Sequence, residues 1–158
     1  MGCTVAKRSA GILLFRRAPD LEVLIAHMGG PLWARRDAAA WSIPKGEYGP
    51  DEEPIDAARR EFDEELGLPA PDGDLVALGS VRQSGGKIVT VWALEAHLDP
   101  DDVAPGTFEM EWPRGSGRMQ EFPEIDRVAW VVLDTARTKL VRGQVVFLDR
   151  LVDALPAR

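Results

Sequence analysis

GEYGPDEEPIDAARREFDEELGL, residues 46–68, reads as a loop that turns into a helix and then stops. Pro54 suits the first helical turn, where its missing N–H is no loss, and Asp51, Glu52 and Glu53 gather at the positive end of the helix dipole. Gly67 followed by Pro69 supplies the stop, so the spacing predicts a helix near residues 54–66. At about 100° per residue, Ile55, Ala58, Phe62 and Leu66 line up as an apolar stripe, with Asp56 and Asp63 pointing away from it. Glu61, Glu64 and Glu65, at i, i+3 and i+4, share a narrow face beside the stripe.

Three carboxylates on one face repel one another, and a bound cation would relieve them. Oxygen ligands with no cysteine nearby, and histidines only at His27 and His97, suit Mg²⁺ or Mn²⁺ rather than zinc. An acidic run on a helix is nevertheless more often a solvated face than a ligand set. The helix alone does not establish a metal site.

Upstream of this segment, residues 9–15 (SAGILLF) and 21–26 (LEVLIA) are apolar runs that read as two strands joined by a turn. Residues 29–40 lack a period and read as a loop into the short strand Trp41-Ser42-Ile43-Pro44. Downstream, residues 75–83 and 87–98 are strands about a turn at Ser84-Gly85-Gly86, followed by a Pro-, Gly- and Asp-rich stretch to about Gly117 that reads as one long loop. Residues 127–133 (RVAWVVL) read as a strand, Asp134 as the cap of a short helix, and residues 144–155 as a last amphipathic helix. Hairpins interleaved with helices favour a mixed sheet covered by helices, a small α/β sandwich, over a doubly wound parallel sheet.

A chain of 158 residues with 45% hydrophobic and 28% charged residues is that of one ordinary globular domain. Its formal charge of −7 would repel a nucleic-acid backbone, so nucleic acid is not expected as a partner. No apolar run is long enough to span a membrane, and none is expected as a partner. Cys3 is the only cysteine, which fits a cytoplasmic protein, expected as monomer or homodimer. Met1-Gly2-Cys3 looks like an acylation start, but Ala6 stands where that pattern needs Ser or Thr, so an unmodified start is expected.

The whole of residues 46–68 resembles the Nudix box, G-x5-E-x7-R-E-U-x-E-E-x-G-U with U a bulky apolar residue. Gly46, Glu52, Arg60, Glu61, Glu64, Glu65 and Gly67 fill its fixed places, and Phe62 and Leu68 its apolar ones. The lead-in Trp41-Ser42-Ile43-Pro44-Lys45 also looks like that family. The resemblance implies an α/β/α sandwich with a mixed, partly antiparallel sheet. It also implies a Mg²⁺-dependent hydrolase that cuts a phosphoanhydride bond in a nucleoside diphosphate-linked small molecule.

In Nudix enzymes the helix glutamates hold the metal, here Glu61, Glu64 and Glu65, with a backbone carbonyl at the position of Gly46 close by. The resemblance gives Arg60 the task of orienting a catalytic glutamate and Glu52 a structural task, either capping the helix or supporting the loop. The general base of the family often lies outside the box before a late strand. That makes Glu121, Glu124, Glu109 and Glu111 the candidates, with Glu124 preferred. Lys45, Arg35 and Arg36 are the expected phosphate binders, while Trp33, Trp41, Phe108 and Trp112 flank glycine- or proline-rich loops and could stack on a nucleobase, although large aromatics are more often found in cores. His27 and His97 are expected to be structural or on the surface. The substrate markers that some subgroups carry beyond the box, proline or tyrosine, are missing at Gln83, Ser84, Gly85 and Gly86. A nucleoside triphosphate or dinucleoside polyphosphate is the first expectation, ADP-ribose or a nucleotide sugar the alternative. A non-catalytic nucleotide-binding module is the reading of another class.

Overall fold

A computed structural model describes residues 6–17 and 19–156, leaving out the side chain of Ser84. The expectations for Met1, Gly2 and Cys3 lie outside the described residues. Strands β1 (Arg8–Arg17) and β2 (Leu21–Met28) pair antiparallel at Phe15↔Val23, Arg16↔Glu22 and Arg17↔Leu21. Beyond these three pairs they splay, and the wedge between them is filled by two short strands. β3 (Trp41–Ser42) pairs with β2, and β4 (Lys45–Tyr48) pairs with β1 in the register Gly11↔Lys45 to Arg8↔Tyr48. The first residues of the 46–68 segment therefore extend the sheet itself, where the sequence suggested a loop.

On the other side of β1 runs β6 (Ile88–Glu95), parallel to it, and β6 forms a hairpin with β5 (Leu75–Arg82). β9 (Ile125–Val132) pairs antiparallel with β2, completing a seven-stranded mixed sheet. Both faces of this sheet are apolar, because neighbouring residues of a strand point to opposite sides. Ala10, Ile12 and Leu14 of β1 belong to one buried cluster with Ala57, Ala58, Phe62 and Leu66 of helix α1 (Pro54–Leu66). Leu13 and Phe15 belong to the other, with Ala136 of α2 (Leu133–Lys139) and Phe147, Leu148 and Leu151 of α3 (Val146–Ala154). The α/β sandwich expected from the sequence is the observed architecture.

Helix α1 begins and ends where the sequence placed it. Pro54 is at its first turn, and Gly67 closes it in the left-handed conformation (φ 74°), donating its N–H to the Asp63 carbonyl at 2.7 Å. A side chain at Gly67 would also run into the Ala104 carbonyl. Two expectations need correction. Asp134 is not a cap: α2 starts at Leu133, after Val132, and Asp134 lies inside the first turn, where its charge still suits the helix dipole. The long loop contains a separate hairpin, β7 (Thr107–Glu111) with β8 (Met119–Pro123), paired from Thr107↔Pro123 to Glu111↔Met119. Its strands TFEME and MQEFP hide little apolar surface, and the surrounding Pro and Gly residues masked the alternation.

Phe62 is fully buried under α1. Phe62→Ala should cost about 3–5 kcal/mol of folding stability, read as a lowered urea midpoint with an unchanged slope. A loss of under about 1 kcal/mol would contradict the packing described.

Candidate active site

Arg60 organises the acidic face of α1. Its Nε and Nη2 donate to the two carboxylate oxygens of Glu52, each at 2.8 Å, a forked pairing that lysine could not reproduce. Its Nη1 donates to Glu61 Oε1 at 2.9 Å and to both oxygens of Glu64 at 3.1 Å. Of the two tasks open to Glu52, the structure shows support of the loop through Arg60, and no side-chain cap bond exists at the start of α1. Surrounding acids hold the Arg60 guanidinium firmly charged.

The three helix glutamates are not equivalent. Glu64 is the outermost, with 55% of its side chain exposed against 12% for Glu61. Glu61 lies against β4, where Gly46 leaves room for its carboxylate: a Cβ on Gly46 would overlap the Glu61 carboxyl atoms. The resemblance implied a carbonyl role for this glycine, and the packing shows a steric one. Burial raises the Glu61 carboxyl above its ordinary range, against the pull of Arg60. Glu65 sits deeper toward β4 and accepts the Lys45 backbone N–H at 3.3 Å. Desolvation pushes its carboxyl up to about 8, with Glu124 and Glu61 adding repulsion and Lys45 opposing it.

Among the four acids considered for the base, Glu124 is the one within electrostatic reach of both Glu61 and Glu65. It occupies the bend between β8 and β9, pinned by its N–H to the Gly106 carbonyl at 2.8 Å and by its own carbonyl to the Gly29 N–H at 3.0 Å. Glu109 and Glu121 face each other across the β7–β8 hairpin, exposed, and Glu111 accepts the Gly115 N–H at 2.5 Å. Lys45 is half-buried beside Glu65 and Glu61, and burial lowers its ammonium pKa. Arg35 and Arg36 are exposed at the end of the turn that follows β2, with the Arg36 guanidinium 5.6 Å from the centre of the Trp33 ring.

Among the described residues, no three acidic or histidine side chains close around a point tightly enough to cage an ion unaided. What the site presents is an open, all-oxygen donor set, partly desolvated and short of positive charge. That chemistry fits Mg²⁺, which keeps waters and takes substrate phosphates to complete its shell.

His27 is structural, as expected, but more deeply built in than its sequence shows. It is fully buried, with Nδ1 2.8 Å from Asp126 Oδ1 and Nε2 2.6 Å from the Arg36 carbonyl. It ties the turn after β2 to β9. No spacing in the sequence joins residues 27, 36 and 126. His97 is exposed and stacked parallel to Trp130. Trp41 is core, its indole N–H donating to Asp37 at 3.0 Å. Trp112 is half-buried just after β7. Among the described residues no helix is long and apolar enough to cross a membrane.

A curated relative named RNA pyrophosphohydrolase from Pseudomonas putida is 41% identical over 61 residues, which are 37% of this chain and span 38% of that protein's length. Among solved structures, a C. elegans Ap4A hydrolase in a binary complex superposes with TM-score 0.64 at 20% identity, covering 92% of this chain and 96% of that one. The NUDIX domain of Shewanella oneidensis NrtR complexed with ADP ribose gives TM-score 0.64 at 15% identity, covering 97% of this chain and 90% of that one. At these identities the solved structures speak for the fold alone. The family model of the NUDIX domain matches residues 5–151, nearly the whole chain, and this protein belongs to the NUDIX family.

Proposed function

We propose that this protein is a Mg²⁺-dependent pyrophosphohydrolase that cleaves a phosphoanhydride bond in a nucleoside triphosphate or dinucleoside polyphosphate. The observation that carries the reading is the packing of Glu61 and Glu65 against β4, where both are desolvated beside Lys45 and within electrostatic reach of Glu124. A protein with no use for a cation there would gain by removing one of these charges. A module that only binds nucleotides needs no such set, and all four glutamates of the box are retained. The names of the relatives, an RNA pyrophosphohydrolase and an Ap4A hydrolase, agree with the same bond class. ADP ribose in the NrtR domain keeps a diphosphate-linked nucleoside in the panel of alternatives.

In this reading Glu61 and Glu65 hold the cation, with Glu64 as the exposed third carboxylate and Gly46 giving Glu61 its seat. The cation supplies charge neutralisation for the diphosphate oxygens. Arg60 is a positioning residue, fixing Glu61 and Glu64 while anchored on Glu52. Lys45 opposes the phosphate charge from within the site, and Arg35 and Arg36 draw it in from the rim. Glu124 accepts a proton from water as the water oxygen bonds to phosphorus and the bridging oxygen leaves with the bond pair. The role suits a carboxylate whose backbone is held at both its N–H and its carbonyl, with its side chain exposed toward solvent.

The first test is incubation with Mg²⁺ and nucleoside triphosphates, dinucleoside polyphosphates, ADP-ribose, nucleotide sugars and a 5′-triphosphorylated RNA, with every phosphate product identified. Turnover should require Mg²⁺ and fall by at least about a hundredfold in Glu65→Gln. Mg²⁺-dependent rates equal to wild type in that variant would remove the metal assignment.

Glu124→Gln separates base from ligand. It should lower kcat by about 10²–10⁴ while calorimetric Mg²⁺ affinity stays close to wild type. A parallel loss of both would make Glu124 a ligand instead.

Glu65 also sets a pH dependence. Its folded carboxyl titrates near 8 against an ordinary 4.5, so in chelator its contribution to stability is fully present below pH 4.5 and is lost as the pH rises through about 8. Mg²⁺ must displace that proton to bind. Melting temperature in chelator should therefore fall from pH 4.5 toward pH 8, and Mg²⁺ should restore it most at the upper end. A Mg²⁺ shift independent of pH across this window would exclude Glu65 from the cation site.

A further inference from the structure

His27 and Asp126 meet at a break in the strand register. β2 and β9 pair His27↔Arg127 and then Met28↔Ile125, so β9 advances two residues where β2 advances one, and Asp126 is the extra residue of a bulge. Continued without the bulge, the register would set Ile125 opposite Gly29. With it Glu124 takes that place, and its carbonyl accepts the Gly29 N–H at 3.0 Å. A slip of one residue sends neighbouring side chains to opposite faces of a sheet. The bulge therefore decides both that Ile125 joins the buried cluster under α1 and that Glu124 stands in the bend. We propose that His27 and Asp126 are positioning residues for Glu124: the buried ring locks the bulge, and the locked bulge holds the Glu124 carboxylate toward α1. The inference rests on the reading of Glu124 as the proton acceptor and goes beyond it to what keeps that residue in place.

Three features support the lock. First, its inner half is dry and closely held. The His27 ring is fully buried, with Nδ1 2.8 Å and 3.0 Å from the two oxygens of Asp126 and Nε2 2.6 Å from the Arg36 carbonyl. Carboxylate and carbonyl are both acceptors, so the ring serves both only with a proton on each nitrogen. Second, the turn after β2 presses on the residue before Glu124, since a Cβ on Gly29 would run into the Pro123 carbonyl. Third, the carboxylate of Glu124 lies on the helix side. A Cβ added to Gly106 would sit 3.2 Å from the Glu64 carbonyl and 3.7 Å from Glu124 Oε2, so the α1 backbone and this carboxylate border one small volume.

Asp126 has a second partner, Arg127 Nη1 at 3.2 Å, but that guanidinium belongs to the next residue of the same strand and bridges nothing. The imidazole joins β9 to β2 and to the turn beyond it. An apolar residue at position 27 would fill the core without burying a charge, whereas the polar link specifies one register.

Kinetics and amide hydrogen exchange on the full chain test the assignment. Asp126→Ala should lower kcat on the panel substrate by about 10–100-fold, with KM and calorimetric Mg²⁺ affinity at wild-type values. Asp126→Asn should restore kcat, because an amide can face Nδ1 as donor or as acceptor. Added to Glu124→Gln, Asp126→Ala should cost nothing further, since it acts through that residue, whereas a purely structural role would add its own loss. The Gly29 amide, whose acceptor is the Glu124 carbonyl, should exchange at least about tenfold faster in Asp126→Ala when measured against the amides of β6. That comparison separates a loosened bulge from a globally weakened fold. Wild-type kcat in Asp126→Ala, an additive loss in the double variant, or unchanged Gly29 exchange would overturn the positioning role and leave the hydrolase reading standing. A protein that cleaves nothing in the panel, yet whose Gly29 amide opens in Asp126→Ala and is protected again in Asp126→Asn, would keep the lock on Glu124 and defeat the hydrolase reading.

Discussion

Negative charge packed where water is scarce is the constraint around which this molecule is arranged. Glu61 and Glu65 are drawn against β4 by the same face of α1 that buries Phe62 and Leu66, so their partial desolvation follows from the hydrophobic packing of the helix. The cost is met locally by Arg60, which spans three carboxylates, and by Lys45, whose own burial lowers its pKa in turn. Glu124, which arrives from a distant part of the chain, adds repulsion to both Glu61 and Glu65. A deficit of positive charge is left over on this face of α1.

The geometry that permits this begins with two strands that part company. β1 and β2 share only three paired positions, Phe15↔Val23 to Arg17↔Leu21, and the opening beyond admits β3 and β4. Gly46 is consequently a sheet residue, with α1 lying across it. Its lack of a side chain matters because the Glu61 carboxylate uses that volume. One small residue thus couples the register of a four-residue strand to the position of a functional group on the helix.

Much of this was legible in the sequence where the signal is local. Pro54 and Gly67 bounded α1 correctly because helix ends obey nearest-neighbour chemistry, and the spacing of Arg60, Glu61, Glu64 and Glu65 survives directly on the helix surface. Glu124 could be nominated only through a family resemblance, and what singles it out from Glu121 is the bend between β8 and β9, a tertiary fact. The β7–β8 hairpin was hidden because its alternation lacks a buried face to enforce apolar residues. The buried link from His27 to Asp126 and to the Arg36 carbonyl was invisible for a different reason: each partner belongs to a different segment, and one of them is a backbone atom.

The hairpin has a standing of its own. β7 and β8 form a two-stranded sheet apart from the seven-stranded one, and no residue between Thr107 and Pro123 belongs to either buried cluster. Mutations there can accumulate without disturbing the packing that shapes the acidic face of α1. Such a division makes residues 107–123 a natural cassette for exchange between relatives, one whose replacement leaves the packing beneath α1 as it was.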